Sequence, residues 1–253
     1  MKKITIASFA TILLLILQTV SAQAQFISTG RIAFEKRTNI KLQMTNEMGD
    51  QPGMSEWVKM LPQTISSYFN LYFTEEQTNY VFDKHEELKG MAAQMMGMSP
   101  GSENHVGVNI KAKSYTADKK FFESNFLIVD ELPQYTWKIE DEVRVIAGYT
   151  CRKAVTRIMD SVVVVAFYTD EILCNGGPES FNGLPGMILG VAIPRLYTTW
   201  FATEVELMVP DIKVLAPPSK GKKVTFNELY EQMEKSMKQY GKYGEYAKWW
   251  VRV

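Results

Sequence analysis

Val162-Val163-Val164-Val165-Ala166-Phe167-Tyr168-Thr169 is the stretch that decides the fold. Val162–Phe167 is apolar at every position and follows the turn pair Asp160-Ser161. Side chains of a strand alternate between two faces, so an unbroken apolar run predicts a strand covered on both. Such a strand needs a sheet around it and a layer packed on it, and the obvious cover is helical.

Working outward, the chain reads as a meander. Val106–Thr116, Lys120–Val129, Tyr135–Ile139 and Thr150–Met159 are strand-like runs, several separated by turn residues. Tyr68–Thr74 and Thr78–Phe82, joined by Glu75-Glu76-Gln77, predict an aromatic-rich hairpin, and Ile27–Ile40 a first strand. Met187–Val191 leaves the Gly183–Gly186 turn as another. Tyr197, Thr199, Phe201, Thr203, Val205 and Leu207 alternate with more polar residues, as a half-exposed antiparallel strand would. Two helical insertions interrupt the meander, at about 54–61, where Trp57, Val58 and Leu61 share a face, and at about 84–98, before Pro100-Gly101. The segment 45–53 is a loop.

Residues 216–223 form a Pro/Gly/Lys connector, after which Thr225-x-x-Glu228 is a capping box opening a helix over 225–240. Phe226, Leu229, Tyr230, Met233, Met237 and Tyr240 lie on one face of it. Gly241 closes it, and the tail with Tyr243, Tyr246, Trp249 and Trp250 is expected to dock back on the sheet, the alternative being a partner surface. The fold predicted is α+β: an antiparallel, curved, half-barrel-like β-sheet covered on one face by helices, with a C-terminal helix, in a single domain over 25–253.

The N-terminus gives a compartment. Lys2 and Lys3, the apolar run Ile4–Leu17 and the small-x-small sites Val20-Ser21-Ala22 and Ala22-Gln23-Ala24 follow the order of a signal peptide over 1–24. The run is interrupted by Thr5, Ser8 and Thr11, too short for an anchor needing about 20 apolar residues. No Cys stands near either site, so the expectation is a periplasmic or secreted protein without a lipid anchor or a transmembrane segment in the mature chain. The 28 basic and 28 acidic residues become a charge near −2 once Lys2 and Lys3 are removed, which argues against nucleic acid as a partner. Cys151 and Cys174, the only cysteines, are then a candidate disulfide in an oxidising compartment, or two separate buried thiols.

One motif narrows identity. Within Gly183-Leu184-Pro185-Gly186, the four residues Leu184–Met187 suit a type II turn, with Pro185 at the second position fixing φ and Gly186 at the third supplying a positive one. Together with Tyr149-Thr150-Cys151-Arg152-Lys153-Ala154, Phe167-Tyr168-Thr169-Asp170-Glu171-Ile172, Gly177-Pro178 and Met187-Ile188-Leu189, it resembles the ordered signature of the GLPGLI family, exported proteins of Bacteroidota with no established activity. The resemblance covers Asn125–Val191 and includes Trp137-Lys138-Ile139. Met187 stands for the usual Leu, Phe167 for a common Trp and Leu173 for Pro. It implies Cys151 as a typical position without a shared disulfide, and it supplies no catalytic residues.

The chain lacks a phosphate loop, a dinucleotide fingerprint, a nucleophile elbow and a paired-His zinc helix. No cofactor is called for. His85 and His105 are too far apart in sequence for a local ligand pair, and the adjacent acids of Glu140-Asp141-Glu142 point to opposite faces of a strand. Methionine is the anomaly: of 13 internal Met residues, eight lie between Met44 and Met98. On a helix, Met91, Met95 and Met98 share a face, where three thioethers could hold Cu(I), or simply fill gaps under a lid. The reading is a non-catalytic envelope binding or accessory protein for an apolar ligand, a peptide or an outer-membrane partner. The alternatives are a Met-rich Cu(I)-binding periplasmic protein and an envelope enzyme of unrecognised mechanism.

Overall fold

The computed structural model describes residues 26–48, 53–90, 93, 101–121, 124–159 and 161–253. The leader over 1–24 and Met91, Met95 and Met98 lie outside them. Twelve strands form one open sheet in the order β12-β6-β5-β4-β3-β2-β1-β11-β10-β9-β8-β7. They are β1 Gly30–Thr38, β2 Ile65–Phe73, β3 Gln77–His85, β4 His105–Asn109, β5 Ser114–Phe121, β6 Ser124–Glu131, β7 Lys138–Ile146, β8 Tyr149–Ile158, β9 Val162–Thr169, β10 Met187–Ile193, β11 Thr198–Leu207 and β12 Lys222–Val224. All neighbours run antiparallel except β12, which lies parallel to β6. Among the described residues, α-helices α1 Ile40–Met48, α2 Met54–Lys59, α3 Phe226–Met237 and α4 Gly241–Arg252 accompany the sheet. Among the described residues, no helix is long and apolar enough to cross a membrane.

The alternation of β1 sets the inside. Ile32, Phe34, Lys36 and Thr38 face the covered side of the sheet, while Arg31, Ala33, Glu35 and Arg37 face away. Across β2–β1–β11 this places Leu71, Ile32 and Val205, then Phe69, Phe34 and Ala202, then Ser67, Lys36 and Trp200 in transverse rows.

Several elements differ from the sequence reading. The first strand stops at Thr38, and Ile40–Met48 is helical because Asn39 Oδ1 accepts the Leu42 amide and starts a turn. Val106–Thr116 splits into β4 and β5, since Asn109 Oδ1 accepts the Ala112 amide in a tight connection. The insertion expected from 84 begins as strand: Lys84 and His85 pair with Tyr68 and Ser67 in β3. Tyr135–Ile139 is too short and too early for the strand found there, because β7 continues through Glu140–Arg144, whose Glu142 is held by Lys153 of β8 at 2.9 Å. The run that opened the reading is β9. One face of it is buried through Val162, Val164 and Ala166, but the other is covered only over part of its length. There Arg144 of β7 lies 4.6 Å from the Phe167 ring centroid, while Val163 stays exposed.

The capping box forms as read: Glu228 N–H donates to Thr225 Oγ1 at 3.2 Å and Thr225 N–H donates to Glu228 Oε2 at 2.7 Å. The Phe226 amide, another helix-start donor, reaches Asp130 Oδ2 of β6 at 2.8 Å and ties α3 to the sheet. The aromatic tail is helix α4 and it docks inward. Tyr246, Trp249, Trp250, Val251 and Val253 are buried there.

Candidate functional site

The covered face of the sheet is polar at its middle. Lys36, on β1 beside the apolar row of Phe69, Phe34 and Ala202, and Lys119, on β5 in phase with Tyr115, Ala117 and Phe121, are each only 5% exposed, and Glu179 between them is 1% exposed. Lys36 Nζ lies 3.9 Å from Glu179 Oε1, and Lys119 Nζ 3.8 Å from Glu179 Oε2. Asn104 Nδ2 donates to Glu179 Oε2 at 2.8 Å. The Lys36 ammonium donates to the Gly101 carbonyl, and the Lys119 ammonium to the Val253 main-chain oxygen. Three charges are thus held away from water, a costly arrangement that persists only when the members satisfy one another.

Aromatic rings wall this centre. Lys36 Nζ is 4.6 Å from the Trp250 ring centroid, 5.2 Å from that of Trp200 and 5.9 Å from that of Phe69. Tyr80 stacks on Phe69 with centroids 4.6 Å apart. The polar edges of these rings are not all used: Tyr80 Oη, Trp200 Nε1, Trp250 Nε1 and Glu179 Oε1 are buried without a hydrogen-bond partner. The Trp200 indole lies close to the Tyr80 hydroxyl but does not meet it in hydrogen-bonding geometry. Burial brings the Lys36 ammonium down to about 8, with Glu179 opposing and Lys119 adding to the fall. Burial also lowers Lys119 and pushes the Tyr80 hydroxyl well up, the latter with Glu179 contributing.

Beside this centre runs a second polar chain. Ser67, cross-strand from Lys36, has its hydroxyl 3.0 Å from His85 Nδ1, and His85 Nε2 is 3.3 Å from Glu103 Oε1. The residue types are those of a nucleophile, base and orienting acid, but the order of exposure is inverted: Ser67 is buried and Glu103, at the far end, is exposed. The chain fastens segment 101–104, which carries Gly101 and Asn104, to β2 and β3. His105 is a separate matter, its Nε2 2.9 Å from Asn79 Oδ1 and its affinity for a proton lowered by burial.

The Gly183–Gly186 motif feeds the same centre. It closes the long loop between β9 and β10, the loop on which Glu179 sits with φ +55°. Gly186 has φ +137°, and a side chain there would overlap the Thr169 carbonyl. Its amide donates to the Leu184 carbonyl at 2.8 Å, so the chain reverses around Pro185 in three residues, tighter than the four-residue turn expected. Leu184 is buried, and Gly183 N–H donates to Asn175 O at 3.1 Å. Trp137 Nε1 donates to Asn182 O at 2.8 Å, while Asn182 Nδ2 donates to Pro133 O at 3.0 Å and to Ser180 O at 2.9 Å. These bonds pin the β6–β7 connection over the loop and hold Glu179 inward.

The candidate disulfide is absent. Cys151 and Cys174 are both buried free thiols, and burial pushes each up to about 12. Cys151 sits on β8 opposite Arg144, its Sγ 3.5 Å from the Tyr149 carbonyl, whereas Cys174 packs by Gly176 under Thr78 of β3. The two occupy different neighbourhoods, and each behaves as a small apolar residue. Among the described residues, no group of three or more His, Cys, Asp and Glu side chains could hold a metal.

Lys36, Lys119 and Glu179 are not singled out by the sequence reading. The signal is present for the lysines, because each occupies an inward position of an otherwise apolar alternation. Glu179 follows Gly177-Pro178, inside the motif block, but nothing local says where it points.

The model of a family described as "Protein of unknown function (Porph_ging)" matches residues 155–190, from β8 to β10 and including the Glu179 loop. No curated protein matches the sequence. Among solved structures, PNGF-II in a P21 crystal form aligns with a TM-score of 0.49 at 16% identity, covering 81% of this chain and 32% of that one. The C2 form of PNGF-II gives 0.48 and 16%, over 83% of this chain and 33% of that one. An uncharacterized conserved protein from Thermus thermophilus gives 0.38 and 9%, over 86% of this chain and 99% of that one. The chain spans about a third of the length of the PNGF-II chains.

Proposed function

We propose that this is an exported, non-catalytic binding or accessory protein of the cell envelope, of the GLPGLI type, with the covered face of the sheet as its binding face. The observation that carries the reading is the polar, aromatic-walled centre around Lys36, Lys119 and Glu179. A core kept only for stability gains from apolar filling at such a place, and buried charges with unpartnered donors beside them cost stability. The leader over 1–24 and the balanced charge of the mature chain fit the same role.

The test is to express the full chain in its own compartment, isolate it without detergent and examine it by native mass spectrometry, alongside cross-linking in intact envelopes. The expected result is a mature form beginning near Gln23 or Gln25 with a co-purifying small molecule or a specific envelope partner. Protein that carries neither, or that keeps residues 1–24, removes the reading.

The Ser67–His85–Glu103 chain favours the enzyme reading instead, as a nucleophile with its base. Labelling by a fluorophosphonate that disappears in Ser67→Ala would establish it. With Ser67 buried, the expected outcome is no labelling.

A further inference from the structure

We propose that the centre beneath α4 is a binding site for a long-chain carboxylate, which takes the place that α4 now fills. The inference rests on the binding reading above and gives it a ligand class.

Donors outnumber acceptors at this centre. The sheet and its loops contribute the Lys36 and Lys119 ammonium groups, the Asn104 amide, the Tyr80 hydroxyl and the Trp200 indole N–H, against the single carboxylate of Glu179. Two side-chain cations face one side-chain anion. The Tyr80 and Trp200 donors have no partner, and the two lysines now spend their protons on main-chain oxygens, of Gly101 and of Val253. A carboxylate offers two oxygens with about four acceptor positions and one negative charge, which is what this set lacks. Neutral acceptors or a cation would leave the imbalance in place or worsen it.

The surroundings fit an apolar tail. Phe34, Phe69 and Tyr80 on β1–β3 and Trp200 on β11 form a ring-lined surface, and α4 covers it with Trp250, whose ring centroid lies 6.2 Å from that of Trp200. Over the centre itself α4 contributes contacts that a ligand can replace, the Trp250 ring face over Lys36 and a main-chain oxygen to Lys119, while Tyr246, which donates to the Arg195 carbonyl and stacks on Tyr197, and Arg252 over Phe226 hold its outer side. The joint before it is short. Residues 238–240 form a single 3-10 turn, and Gly241 follows with φ +54° and open space around its Cα. Swinging α4 about Gly241 exposes the donors on the sheet while Glu179 stays fixed by Asn104.

Hexadecanoate and hexadecanol, of equal chain length and differing in the acid, are the probes, used with the delipidated full mature chain below their aggregation concentrations. Hexadecanoate is expected to bind about tenfold more tightly or better, the size of one charge-assisted hydrogen bond. Hydrogen exchange over 241–252 rises on binding. Lys36→Met and Lys119→Met, each checked for folding by circular dichroism, bring the two probes to within about twofold, since each removes such a bond. Trp200→Phe keeps a ring and deletes the donor, and it lowers only the acid's affinity, so a poorly folded lysine variant does not end the test. Equal affinity of both probes for the unmodified protein overturns the carboxylate site and leaves the binding reading standing. Binding of neither, or unchanged exchange over 241–252, overturns the site and the displacement; the binding reading itself fails only on the native preparation described above.

Discussion

The two ends of one sheet solve burial by different chemistry. From β8 to β10 the interior is mostly apolar: Ala154, Val162, Val164, Ala166, Ile188, Leu189 and Val191 are fully buried and ask for nothing but close packing, and the buried Thr156 hydroxyl donates to the Thr136 carbonyl. From β5 across β3, β2 and β1 to β11, the same face carries Lys119, Tyr80, Ser67, Lys36 and Trp200, which need partners. The apolar end holds the sequence motif, yet its loop sends Glu179 into the polar end. The difference teaches that the motif block is a scaffold whose one reaching residue completes a site built elsewhere in the chain.

Substitutions at the two ends test that division. Glu179→Ala leaves two buried ammonium groups uncompensated and is expected to cost about 3–5 kcal/mol in urea unfolding. Leu189→Ala at the apolar end costs about 2–5 kcal/mol, by lost burial and a cavity. The two diverge on repair. Replacing Lys36, Lys119 and Glu179 together by Met, Met and Leu restores stability to near the starting value or above it, as apolar exchange of buried ion clusters does, by about 1–4 kcal/mol. A triple variant as unstable as Glu179→Ala would show the cluster to be a structural necessity and erase the contrast.

The turn that aims Glu179 gives the next effect. Gly186→Ala puts a methyl group against the Thr169 carbonyl at φ +137° and is expected to cost at least about 1–3 kcal/mol of backbone strain. Gly148→Ala, at φ +88° with nothing nearby, should cost less. Equal melting temperatures for the two would mean that the loop relaxes and does not hold Glu179.

pH separates the ends more finely. Lys36 loses its proton near 8 in the folded protein and near 10.5 when unfolded, so its charged form opposes folding below 8. That opposition fades as pH rises from 8 to 10.5, because the unfolded chain binds more protons there. Cys151 and Cys174 act the other way, holding protons to about 12 in the fold against about 9 unfolded, so stability falls as pH climbs through that range. The difference between wild type and Lys36→Met, followed by urea midpoints from pH 7.5 to 10.5, isolates the lysine and should grow in favour of wild type. A flat difference would mean that Lys36 is not desolvated. The smallest effect is on the thiols themselves: neither reacts with Ellman's reagent in the native state and both react on unfolding. Fewer than two thiols in the unfolded, unreduced protein would mean a bridge after all.

Much of the fold was legible from local pattern. An unbroken apolar run placed β9, the exit of the Gly183–Gly186 motif placed β10, period-two alternation placed β11, aromatic-rich runs placed the β2–β3 hairpin, and Thr225 with Glu228 marked the start of α3 to the residue. The misses share a cause. The ends of β1 and β7 and the split of β4 from β5 depend on which groups satisfy a backbone donor or which strand lies alongside, and composition does not record that. The site was less legible. The Gly183–Gly186 turn was readable because φ limits on Pro and Gly are local, but the pairing of Cys151 with Cys174 was not, since bridging depends on a distance between segments.

The sequence by itself determined that the two faces alternate along each strand, because side-chain direction follows from backbone periodicity alone, but it did not mark Lys36 and Lys119 as facing inward. Only the tertiary structure decided that their charges would meet Glu179, that Trp250 would close over Lys36, and that donors would be left over at Tyr80 and Trp200. Desolvated charge must be matched by partners within a few ångströms, and these partners come from β1, β5, the β9–β10 loop and α4, segments that only the folded sheet brings together.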